Sequence, residues 1–132
     1  MKFMLMMHAP YAKGGYQHTE WKPEEWQAHM DYWRALNAEL TQAGEFVTVQ
    51  GLVPPSEARI VRAGTDGLPA VTDGPFAESK EFLAGYWIVD VESPERAYQI
   101  AAKASAVPGP GGTPMEMPIE VRQVMSAPPV EA

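Results

Sequence analysis

His29 is the side chain most suited to chemistry in this sequence. It lies among Trp26, Met30, Trp33, Leu36 and Leu40, which recur at helical spacing. At about 100° per residue His29 falls inside that apolar stripe, one turn before Trp33, so its imidazole points toward a core or a cavity at the core's edge. An imidazole there could act as a general base with a pKa near working pH. The plainer reading, a part-buried, hydrogen-bonded histidine, is preferred. A second group is Asp73-Gly74-Pro75-Phe76, followed by Glu78, Lys80 and Glu81. Proline fixes its own φ and pushes Gly74 toward extended backbone, while Asp73 can cap the turn by accepting backbone N–H groups. In the structural reading Phe76 anchors this turn. In the functional one Asp73 and Glu78 form a polar cleft wall and Asp73 joins His29 as a catalytic pair. Lys80 can reach either neighbouring carboxylate, as a solvated ion-pair cluster worth at most ~1 kcal/mol.

Glu120 and Arg122 share one face of the last predicted strand, opposite Ile119 and Val121. A guanidinium projecting toward a cleft suits recognition of a carboxylate, because it is a planar bidentate donor. The structural alternative pairs Arg122 with Glu120 or with Asp73. His8 ends the first strand on the face of Met4 and Met6. The three histidines, His8, His18 and His29, have no recognised ligand spacing, so no metal and no cofactor is expected. No serine–histidine–aspartate order, phosphate loop, dinucleotide-binding glycine pattern or zinc motif is present. Tyr11, Tyr16 and Trp21 sit in a predicted loop, where aromatic residues more often meet a partner or ligand.

The elements that must position these groups follow from patterning. Residues 2–8 read as a strand with Phe3, Leu5 and Met7 on one face and Met4, Met6 and His8 on the other; both faces are apolar, so both need cover. Pro23-Glu24-Glu25 opens a helix running to Ala43, with Lys22 as a poor N-cap and Gly44 as the stop. Asp31, Ala38 and Gln42 face away from its apolar stripe. Residues 45–50 read as a strand, and 58–63 and 69–72 as a hairpin turning at Asp66-Gly67. Residues 84–91 form a further strand. Ser93-Pro94 starts a second helix with Ala97, Ile100, Ala101 and Ala104 buried. The proline- and glycine-rich run 108–114 cannot be regular structure, and residues 118–125 make the last strand. The order is a split βαβ, ferredoxin-like α+β domain with an inserted β-hairpin. Residues 1–126 read as a single domain and 127–132 as a loose tail.

Composition narrows the partners. The net charge is −7 with no lysine or arginine cluster, which argues against nucleic-acid binding. No apolar run approaches the ~20 residues of a membrane helix, and no secretory pattern begins the chain, so a cytoplasmic location is expected. The absence of cysteine excludes thiolate catalysis and disulfides.

The run from Asp73 to Glu81, leading into Gly85-Tyr86-Trp87-Ile88-Val89-Asp90-Val91, resembles the signature of the DGPF-type branch of the YCII-related proteins. The resemblance extends from Met1-Lys2-Phe3-Met4-Leu5-Met6 to Ile119-Glu120-Val121-Arg122. It implies a dimeric α+β barrel, in which two four-stranded sheets pack face to face and place Met4, Met6 and His8 inside. In the broader family a helix histidine and an aspartate after the second helix have been regarded as a possible acid–base pair. Counted back from Gly44, the histidine position is Trp33 here, and the Asp-Pro position is Val107-Pro108; both are apolar. His29 could substitute from the next turn of the same face. The expected function is therefore a small-molecule-binding homodimer with a cleft on the barrel and helix side, in which Trp33, His8, Glu78 and Arg122 contact the ligand. The alternatives are an acid–base enzyme, isomerase- or lyase-like, acting on a small organic acid or lactone, and an accessory regulatory module of the kind associated with alternative sigma factors.

Overall fold

Alternation along β1 (Lys2–Pro10) buries Phe3, Leu5 and Ala9 and leaves Met4, Met6 and His8 half-buried on the reverse face. In the computed structural model, which describes residues 1–10, 21–76 and 79–126, β1 lies between β5 (Glu81–Asp90) and β6 (Ile119–Gln123). The edge beyond β5 is β2 (Phe46–Gly51), which makes the order β2-β5-β1-β6 with every pair antiparallel. The aromatic loop with Tyr11, Tyr16 and His18, and the tail 127–132, lie outside the described residues.

Helix α1 (Pro23–Gln42) and helix α2 (Pro94–Ser105) cover the face that carries Phe3, Leu5, Trp87 and Val89. Leu36 and Leu40 come from α1, and Ala97, Ile100, Ala101 and Ala104 from α2, as their spacing predicts. Asp31, Ala38 and Gln42 are exposed. Lys22 gives no side-chain cap, but its N–H donates to the Glu25 carboxylate at 2.8 Å, which closes the first turn from the other side. At α2 the Ser93 hydroxyl accepts from the Arg96 N–H at 3.3 Å. The fold is α+β and ferredoxin-like, with the hairpin inserted between β2 and β5.

The expected boundaries shift where pairing demands it. β5 begins at Glu81 rather than residue 84, because Phe82 and Leu83 find partners in Ala9 and His8. β6 stops at Gln123 rather than residue 125, since Gln123 already pairs with Phe3 near the start of β1, and Met125 is 88% exposed. The run after α2 contains one 3₁₀ turn, Pro110–Gly112, which its glycines permit: Gly111 and Gly112 both take positive φ. The inserted hairpin, β3 (Arg59–Ala63) and β4 (Pro69–Asp73), forms a separate two-stranded sheet. Gly67 supplies positive φ in its turn, and Val61, Leu68 and Val71 are each more than half exposed. The Gly74–Pro75 peptide is cis, and the Gly74 N–H donates to Ala58 O at 2.9 Å.

Candidate functional site

His29 is buried, and both of its ring nitrogens are occupied. The Trp33 Nε1–H group lies 2.9 Å from His29 Nε2. An indole nitrogen can only donate, so Nε2 accepts and the imidazole proton resides on Nδ1, which donates to the Pro108 carbonyl at 2.9 Å. Trp21, Trp26 and Trp33 surround the imidazole edge-on, with ring centroids 5.2 to 5.7 Å away. Burial pushes the pKa below its ordinary value of 6.5, against an opposing pull from the Pro108 carbonyl. Protonation would also set an Nε2–H against the Trp33 N–H. Of the two positions that the family resemblance gives to an acid–base pair, Trp33 is a hydrogen-bond partner of His29, and Val107, fully buried, directly precedes the other partner, Pro108.

By holding the indole nitrogen, His29 fixes the ring of Trp33 against that of Trp87, at a centroid distance of 5.0 Å and a tilt of 59°. Trp87 Nε1 in turn donates to Asn37 Oδ1 at 2.9 Å. These indoles wall a cavity of about 300 Å³ between α1 and the edge strand β2. The cavity exists because of what the sheet lacks there. Gly51 pairs with Gly85, and Gly85 with Met7, so two neighbouring strands carry no side chain in the row beside Val49 and Trp87. A Cβ on Gly85 would stand 2.8 Å from the Gln50 carbonyl oxygen, whereas one on Gly51 would meet nothing within 4 Å. Met7 and Met30 complete the lining with flexible, polarizable side chains.

The remaining expected site residues are distributed elsewhere. Ile119 and Val121 pack on the helix-covered core, so Glu120 and Arg122 project from the opposite face of the sheet, and the sheet stands between Arg122 and His29. Glu120 sits 2.9 Å from His8 Nε2 rather than on Arg122. Among the described residues no carboxylate lies within ion-pair reach of Arg122. Among the described residues Asp73 accepts no N–H of its turn: cross-strand register places it opposite Arg59, 3.8 Å from Nε, with its side chain 96% exposed. Phe76 is 65% exposed rather than an anchor, at the edge of a second apolar cavity with Leu52, Val53 and Phe82. Of the carboxylate–lysine cluster, Lys80 and Glu81 are exposed. Glu78 and His18 lie outside the described residues. Neither cavity named here is lined by His29, Asp73 or Arg122.

Two features escaped sequence reasoning. The glycine pair needs the β2–β5 register, which no local pattern supplies. The Asn37–Trp87 bond joins residues fifty positions apart, although Asn37 already falls within the helical stripe.

The outer face of the sheet has an apolar centre and polar margins. Met4 and Ile88 lie side by side between Thr48 and Arg122, and Met6 and Tyr86 between Gln50 and Glu120. Among the described residues no helix is long and apolar enough to cross a membrane.

A fold of this class with an uncharged pocket beside α1 defines a small α+β domain. The family model described as the YCII-related domain matches residues 1–119, and the chain belongs to that family. A protein of Rhizobium meliloti (strain 1021), itself described as uncharacterized, is 36% identical over 87 residues, which cover 66% of this chain and 69% of that protein.

Proposed function

We propose that the protein is a small-molecule-binding homodimer of the DGPF-type branch, and that binding rather than acid–base chemistry is its role. The cavity between Trp33, Trp87 and the Gly51–Gly85 floor carries this reading. It falls at the small end of ligand-site volumes, is mostly apolar, and is bounded by side chains held in place by hydrogen bonds. The commitment of both His29 nitrogens supports binding over catalysis, because no lone pair remains to take a proton. The apolar centre and polar rim of the outer sheet face match the anatomy of an interface between copies. Glu120 and Arg122, oppositely charged on one strand, suit a two-fold contact in which each meets the other's counterpart.

Thermal-shift screening of a small-molecule library against the wild type and Gly51→Leu tests the binding role. The substitution fills the cavity from a position with open space above it. Compounds that stabilise the wild type and not the variant are expected; a library in which both respond alike removes the cavity from consideration. Light scattering should return twice the 14.5 kDa chain mass, and Met6→Glu should halve it. A wild-type monomer at tens of micromolar would remove the homodimer.

A further inference from the structure

We propose that this cavity selects an uncharged, flat, two-ring compound bearing a hydrogen-bond acceptor, rather than an organic acid. The inference rests on the binding role proposed above and concerns only the class of ligand.

Charge sets the first limit. None of the described lining residues is Asp, Glu, Lys, Arg or His. A carboxylate entering beside the two indoles would lose hydration without meeting a counter-charge, a cost that the protein can escape only by excluding it. Arg122, the residue best suited to hold an acid, projects from the opposite face of the sheet.

Hydrogen-bond chemistry sets the second. Both indole N–H groups are already engaged, Trp33 with His29 and Trp87 with Asn37, so the rings offer faces and edges but no donor. The donor-only indole of Trp87 fixes Asn37 with its oxygen toward that ring. Its Nδ2 amino group has no partner among the described residues and belongs to a residue that lines the cavity. Gln50 and Tyr86 also border the space, but alternation sends their side chains to the other face, beside Met6. Asn37 is therefore the side chain that can donate to a ligand acceptor. A cation would gain from the indole faces but would meet the same amino group, positive at its hydrogens, and no counter-charge among the described lining residues.

Shape and size set the third. Two indole planes and two glycines offer flat surfaces, on which an aromatic ring stacks favourably. An apolar cavity of about 150 Å³ holds benzene, and this one is about 300 Å³. A fused bicyclic system suits this larger volume.

Three near-isosteric probes read the selectivity directly: 2-naphthamide, 2-naphthoate and 2-naphthylmethylammonium, measured by equilibrium dialysis at neutral pH. The amide should bind wild type at least tenfold more tightly than either ion, and its binding should fall at least tenfold in Gly51→Leu. Met30→Lys places a cation at the exposed edge of the cavity on a helix surface that tolerates it, and should bring 2-naphthoate to within threefold of the amide. This gain does not depend on how well Gly51→Leu folds. If either ion matches the amide in wild type and is lost in Gly51→Leu, the cavity binds but the ligand class is wrong. If none of the probes binds wild type, or all bind Gly51→Leu equally, the binding role fails together with the selectivity.

Discussion

Replacing His29 by leucine separates a structural imidazole from a catalytic one. The substitution keeps apolar bulk among Trp21, Trp26 and Trp33 but removes both hydrogen bonds, leaving the Trp33 N–H and the Pro108 carbonyl without their partner. Each such group left unpaired in a part-buried position costs about 1–3 kcal/mol, so a total loss of about 2–6 kcal/mol is expected near pH 8. The pH dependence carries the sharper information. The pKa of His29 in the folded chain lies below its ordinary 6.5. As pH falls below that value the unfolded chain takes up a proton that the folded chain does not. Wild-type stability therefore drops by up to about 1.4 kcal/mol per pH unit until the folded-state pKa is reached. The leucine variant has no such titration. The stability gap between the two chains should narrow from about pH 8 to pH 5, measured by urea unfolding followed by far-UV circular dichroism. A gap that stays constant or widens with acid would mean that His29 is charged in the folded protein. The assigned tautomer and the indole bond would then be wrong.

Gly85→Ala places a Cβ 2.8 Å from the Gln50 carbonyl oxygen, and relieving it requires movement in the β2–β5 pair. Thermal melts should show a loss of about 1–3 kcal/mol, whereas Gly51→Ala, with nothing within 4 Å, should stay near wild type. Equal effects at the two positions would contradict the cavity floor. Glu45 accepts two hydrogen bonds of 2.8 Å from Arg96, with the carboxylate side chain only 14% exposed. Glu45→Gln should cost about 1–2 kcal/mol at neutral pH. The Arg96 guanidinium holds the Glu45 carboxyl below its ordinary 4.5, so the wild-type advantage is complete above that value and disappears as pH falls through the depressed folded-state pKa. An unfolding series from neutral to acid pH that shows no convergence of the two chains would refute the pairing.

The helices and the succession of elements along the chain were legible because each rests on local signals. The α1 stripe, the Pro23 start and the Gly44 stop are written within twenty-two residues, and Ser93-Pro94 announces α2 in two. The double-sided apolar pattern of β1 calls for cover on both faces, and the helices supply it on the face of Phe3 and Leu5. The orientation of His29 was readable from the same periodicity, but its partners were not. Trp33 lies one turn away and Pro108 seventy-nine residues away, and the carbonyl of an irregular segment leaves no trace in side-chain pattern. Asp73 shows the converse. Its Gly-Pro neighbours suggested a self-capped turn, but β3–β4 register set it opposite Arg59 instead. Glycine at 51 and at 85 reads locally as a strand end and a strand interior. Only their adjacency across two strands makes a cavity floor.

The strand order has a kinetic consequence. In the main sheet Lys2 pairs with Asp90, Phe3 with Gln123, and Phe46 with Val89, so each ladder joins segments dozens of residues apart. The local ladder, Arg59 to Asp73, belongs to a separate sheet that contributes nothing to the core. Loop-closure entropy must be spent before the central strand gains its first neighbour. A mixed α and β chain with such non-local ladders is expected to fold more slowly than a helical bundle of the same length. During synthesis β1 emerges first and waits longest, with Phe3, Leu5 and its methionines uncovered until β5 has left the ribosome.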